Sequence, residues 1–166
     1  MVLILSASCS SPELARQHVQ VSTLSFDVPA GWTRVDTNRS GLRTSIWSPP
    51  INDRSETITV VRSELAPATA AGGVESIKRL LTSANGFPSV ERSSPELITT
   101  QQGMHGARIE LDYVPSGRQR SYHRVHVVLV DQDALVHVLY TALQPDEDLE
   151  VLDLVLATIH RGEVRS

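Results

Sequence analysis

A chain of 166 residues fits one domain, and at that size folding buries about two-thirds of the unfolded surface, enough for a core without metals or disulfides. With 40% hydrophobic and 20% charged residues and a mean hydropathy of −0.10, the composition excludes wholesale disorder and collagen-like or low-complexity chains. A net charge of −4 offers no bulk attraction to phosphate backbones, so no nucleic-acid partner is expected.

The amino terminus comes first. Cys9 is the single cysteine, so no intrachain disulfide can form. The run before it, Met1 to Ser8 (MVLILSAS), is apolar and ends in small residues. It resembles the tail of a bacterial lipoprotein signal, in which the following cysteine is lipid-modified. Secretory signals run about 15–30 residues from a positively charged start, whereas here no charge precedes Cys9, and Ser6 stands where leucine is preferred, with Leu5 one step earlier. A start codon set downstream of the true one, cutting off the basic region, would account for the missing charge. The expected division is a signal-peptide remnant over 1–8, a lipid-anchored polar tether over 9–20 and a domain over 21–163. No run approaches the roughly 20 apolar residues of a spanning helix.

Leu24, Phe26 and Val28 alternate with polar residues, the period of a half-buried strand, and Pro29-Ala30-Gly31 ends it. Leu42 to Ser48 and Glu56 to Leu65 predict two β-branched strands around the breaker stretch PPINDRS. At Val74 the period changes: Val74, Ile77, Leu80, Leu81 and Ala84 form one helical stripe, closed by Asn85-Gly86. Strands are predicted again over Glu96–Gln102 and Met104–Val114, with Gly103 as the turn between them. Pro115-Ser116-Gly117 leads into a long strand over Arg118–Val130, and Asp131-Gln132-Asp133 turns it into Ala134–Leu143. Pro145 and the acids Asp146, Glu147 and Asp148 open a last helix at its positive end, with Leu149, Leu152, Leu156 and Ile159 as its buried stripe. The strands near the end are apolar on both faces, and an antiparallel sheet normally leaves one face wet. The expectation is therefore α+β: an antiparallel meandering sheet of about six to seven strands covered by two helices, an α/β/α sandwich.

The stretch SFDVPAGW (Ser25 to Trp32), a helix after three strands, the hairpin VHVVLVDQDALVHVLYTA (Val125 to Ala142) and the terminal LEVLDLVLATI (Leu149 to Ile159) together resemble the PsbP/Mog-like superfold, including the DcrB-like bacterial lipoproteins. The resemblance is one of element order and a Pro-x-Gly-Trp turn, and it covers nearly the whole mature chain. Its members are mostly binding or assembly modules, among them envelope lipoproteins and cytosolic chaperones of type VI secretion effectors. The resemblance therefore implies a protein-binding domain and supplies no catalytic motif.

Among the six histidines, His123, His126 and His137 invite a metal reading. Residues three apart on a strand face opposite sides, so His123 and His126 cannot share one ion. With a three-residue turn, His137 lies opposite Val127, and no ligand set closes. There is no G-x-S-x-G elbow, and Cys9 sits in a tether where nothing could hold a general base beside it. Gly72-Gly73 lacks the spacing of a phosphate loop. No enzyme, cofactor or metal is expected. The one suggestive surface is Arg118, Arg120, Tyr122 and Arg124, alternating along one strand face and continued by His126. The hairpin is expected to put Asp112 opposite Arg120 and Glu110 near Tyr122, so that opposite charges interleave.

The leading expectation is a non-enzymatic lipid-anchored envelope protein that binds or scaffolds an unknown protein partner. The alternative is a cytoplasmic chaperone or adaptor of the same fold for secretion effectors. Oligomeric state is not legible in the sequence.

Overall fold

The period-two stretches become strands in a computed structural model that describes residues 15–39, 42–50, 56–63, 89–131, 134–144 and 149–162. The described strands are β1 (Arg16–Val21), β2 (Leu24–Pro29), β3 (Thr33–Arg39), β4 (Leu42–Ser48), β5 (Thr57–Ser63), β6 (Ser89–Arg92), β7 (Glu96–Thr99), β8 (His105–Val114), β9 (Tyr122–Asp131), β10 (Ala134–Leu143) and β11 (His160–Arg161). One helix, α1 (Leu149–Thr158), lies among the described residues. Cys9, the helix expected over Val74–Ala84, Gly72-Gly73 and the acids at 146–148 fall outside them.

The strands form two antiparallel sheets where a single one was expected. The larger runs β3-β4-β5-β10-β9-β8-β6, with β7 also paired to β8, and the smaller runs β1-β2-β11. Strands β6 and β7 share one edge of β8, at Leu111–Val114 and His105–Arg108 respectively. The smaller sheet exists because the expected tether ends early. Arg16–Val21 pairs along β2 from Arg16↔Pro29 to Val21↔Leu24. After α1 the chain returns to the other side of β2 as β11, where the Gly162 amide donates to the Thr23 carbonyl at 2.7 Å.

Between the two sheets sits the main core. Val21, Leu24, Phe26 and Val28 from the small sheet meet Trp47, Ile58, Val60, Val125, Val127, Leu129 and, from β10, Val136, Val138, Tyr140 and Ala142. Phe26 and Trp47 pack edge to face at 5.1 Å. Helix α1 closes this core with Val151, Leu152 and Val155, joined by Ile159 just past its end, while Leu149 and Leu156 are only partly buried. At 100° per residue the observed stripe is centred between Val151 and Ile159, and the expected Leu149 and Leu156 lie together on its one margin, beyond Leu152. The opposite face of the large sheet is buried as well: Ala107, Ile109, Val128 and Leu135 form a second cluster. Burial on both faces of β8, β9 and β10 agrees with their unbroken apolar pattern.

Asp131, 5% exposed, ties three strands together at one end of the main core, 3.6 Å from Arg62 Nε and 3.2 Å from Arg161 Nη2. On the neighbouring strand β8, Gly106 has no room for a side chain. A Cβ there would run into the Val128 carbonyl oxygen, with the Leu129 Cα at 3.0 Å. Backbone does not yield as a flexible side chain does, so Gly106→Ala is expected to cost about 1–3 kcal/mol or more in urea melts. A variant as stable as wild type would mean that β8 and β9 lie farther apart than this packing requires.

Candidate functional site

The β8–β9–β10 unit carries the residues singled out in the sequence, and its register decides which of them meet. Strand β9 begins at Tyr122, because the turn at Pro115 is followed by irregular chain. The Arg118 amide donates back to the Pro115 carbonyl at 3.0 Å, and Gly117 takes φ +76°, a conformation glycine adopts without strain. Arg118 and Arg120 are therefore exposed residues of the connecting loop, not of a strand face. Tyr122 and Arg124 do share a strand face. The expected pairing is also corrected: Asp112 lies opposite His123, Tyr113 opposite Tyr122 and Glu110 opposite Val125.

This register removes the acids from the arginines. Asp112 accepts from Gln144 at 2.7 Å and meets His123 Nδ1 at 2.7 Å, on the face that carries Val125. Glu110 is paired with Arg108 at 2.6 Å. On the other face the Tyr113 and Tyr122 rings stack at 5.9 Å, and the Arg124 guanidinium lies 5.0 Å from the Tyr113 ring centre. Arg124 Nε also donates to Thr141 Oγ1 at 3.0 Å. Burial raises the Tyr113 phenol above its ordinary range, so it stays protonated at neutral pH. The result is a rigid tyrosine–arginine platform at the loop end of the sheet, with Arg118 and Arg120 beside it in sequence and unpaired among the described residues.

His123 and His126 face opposite sides of the sheet, as their spacing requires. His137 is a correction. Asp131 pairs with Ala134, so the turn holds two residues and His137 lies opposite Val128, not Val127. One residue of slip moves a side chain to the other face. His137 thereby joins His126, Nδ1 to Nε2 at 3.2 Å, with one of the two rings supplying the shared proton. Burial first, then His137 and Arg124, hold His126 down at about 3, and burial lowers His137 too. Both rings are neutral at neutral pH. Two-residue loops are the commonest hairpin connections, and that preference is the signal in the sequence that points to this pair. Among the described residues no three His, Cys, Asp or Glu side chains gather as a metal-ligand set.

No protein-family model matches the chain, and no curated protein matches it. Solved structures similar to it include PA94 of Pseudomonas aeruginosa, a protein of unknown function, at 15% identity and TM-score 0.46 over 79% of this chain and 85% of that one. Another is LpqN, involved in cell envelope biogenesis of Mycobacterium tuberculosis, at 15% identity and TM-score 0.48 over 92% of this chain and 93% of that one. Neither likeness is close enough to assign a family or a function, and no family model or curated protein supports the PsbP/Mog-like resemblance.

Proposed function

We propose that this chain is a non-enzymatic, lipid-anchored protein of the bacterial cell envelope that binds another protein through the loop end of its large sheet. The observation that carries the binding reading is the platform of Tyr122 and Arg124 held against Tyr113, next to exposed Arg118 and Arg120. Tyrosine and arginine are the types enriched at interface anchors, and side chains already fixed by stacking lose little entropy when a partner docks. The anchor rests on Cys9 behind a run of small residues. Strand β1 starts at Arg16, so the chain from Cys9 to the domain can span about 25 Å at most. A domain held that close meets partners at or near the bilayer. Among the described residues no helix is long and apolar enough to cross it, and a multiply acylated cysteine holds a protein stably without one.

One experiment addresses both halves. The protein is expressed from its genomic start in a bacterial host with radiolabelled palmitate, cross-linked in intact cells and recovered from membranes. Label is expected in wild type and absent from Cys9→Ala; equal labelling, or none in either, removes the anchor. Arg118→Glu with Arg120→Glu is expected to reduce the cross-linked partner several-fold at an unchanged melting temperature, because both side chains are exposed and make no ion pair within the described residues. Undiminished cross-linking removes the loop end as the binding surface. Arg124 is unsuited to this test, since its contacts with Tyr113 and Thr141 also support the fold.

A further inference from the structure

Strand β3 ends the eight-stranded order, with no strand beyond it among the described residues. Its residues from Thr33 to Asn38 are all exposed, and Val35, at 57%, is one of three large hydrophobic side chains exposed among the described residues. An edge of this kind presents a row of free backbone donors and acceptors. We propose that β3 pairs antiparallel with β3 of a second copy of this chain, about a two-fold axis at Val35, joining the two large sheets into one.

The charges on the strand select that partner and that register. With Val35 opposite Val35 of the second copy, Arg34 faces Asp36, Asp36 faces Arg34 and Thr33 faces Thr37. Both oppositely charged pairs lie at the cross-strand distance of about 4.5–5.5 Å between Cβ atoms. Moving the axis by one residue brings either Arg34 against Arg34 or Asp36 against Asp36, and like charges directly opposite are destabilising. Each neighbouring symmetric register is thus penalised by the residues that favour this one.

Arg34 is already fixed for the purpose. It donates to the Gln20 carbonyl at 3.0 Å and to Ser45 Oγ at 3.2 Å, and it lies 5.3 Å from the Trp47 ring centre. Asp36 is bound to Arg34 and accepts from Ser45 at 2.7 Å. Its side chain nevertheless remains 59% exposed and free to receive a second guanidinium. These contacts hold the carboxyl below its usual range, so it is charged at neutral pH. On the other face Val35 stands at the axis beside the half-buried Ile46 of β4 and adds apolar surface there.

The full chain carrying Cys9→Ser is followed by sedimentation from low micromolar to millimolar concentration. It is expected to pass from 18.2 kDa to twice that mass, and Val35→Lys, which sets two ammonium groups face to face, is expected to stay monomeric. A second arm introduces Val35→Cys or Thr37→Cys in the same background under mild oxidation. At this register position 35 meets itself across the axis, whereas two residues at position 37 stand about 13 Å apart along the strands. Rapid disulfide formation is therefore expected for Val35→Cys and not for Thr37→Cys. A chain that is monomeric at every concentration, a Val35→Lys variant that still dimerises, or cross-linking equally fast at both positions would overturn the proposal.

Discussion

Leu152→Ala is expected to lower the free energy of unfolding by about 2–5 kcal/mol in urea melts. Leu152 is fully buried, at 0% exposure, in the core between the two sheets, and α1 reaches that core mainly against β2. Truncation there leaves a cavity walled by strand residues that cannot collapse inward without breaking their ladders. Leu156 is four residues on, one turn along but at the margin of the buried stripe, and Leu156→Ala is expected to cost distinctly less. Losses below about 0.5 kcal/mol for both, the size of a surface substitution, would show that this helix does not cap the core. A larger loss at Leu156 than at Leu152 would show that the helix is rotated about its axis, with Leu156 turned into the core.

The second large effect is one of pH. An unfolded histidine binds its proton near 6.5, whereas folded His126 does so at about 3 and folded His137 below its ordinary value. Between those limits the unfolded chain takes up protons that the native state refuses. The contribution is therefore fully present above about pH 6.5 and is lost progressively as the pH falls toward 3. Each tenfold drop in proton affinity on folding corresponds to about 1.4 kcal/mol, so His126 alone makes this a loss of several kcal/mol. On the described strands Ile109 and Leu139 lie opposite His126, Val128 and Val61 lie opposite His137, and Arg124 is two residues from His126 on the same face of β9. Arg124 works in the same direction by repelling an imidazolium. His126→Leu with His137→Leu removes both titrations and both polar groups together, a replacement that can be nearly neutral at pH 7. Its stability is expected to fall much less than that of wild type between pH 7 and pH 4. Carboxylates titrate in both proteins and cancel in the comparison, so parallel pH curves would show that the two rings are open to solvent rather than buried.

Strands with a buried face are legible in the sequence. β2, β4 and β10 match their predicted spans almost to the residue because each carries an uninterrupted alternation or an apolar run. β3 and β6 carry no such signal, and β1 reads as tether. In β3 the sequence TRVDTNR holds one apolar residue, and an edge strand exposed on both faces leaves no hydrophobic period to read. β1 alternates weakly and gains its place only by pairing with β2. The platform is half legible. Tyr122 and Arg124 are neighbours on one face, as their spacing predicts, but Arg118 and Arg120 belong to a loop. Tyr113 joins them only through the cross-strand register, which the irregular chain after Pro115 sets and the spacing of residues does not.

The sequence by itself determined an antiparallel α+β domain, the turns at Gly103 and Gly117, a terminal helix with an apolar stripe and a sheet buried on both faces. These follow from local periodicity and backbone stereochemistry, which act within a few residues. Only the tertiary structure decided that the sheet is two sheets, that Arg34 and Asp36 stand on an exposed edge, and that His137 meets His126 rather than facing away. Such outcomes depend on register and on pairing between strands far apart in the chain. A single residue more or less in a turn reverses which face a side chain occupies, and neither composition nor period carries that information.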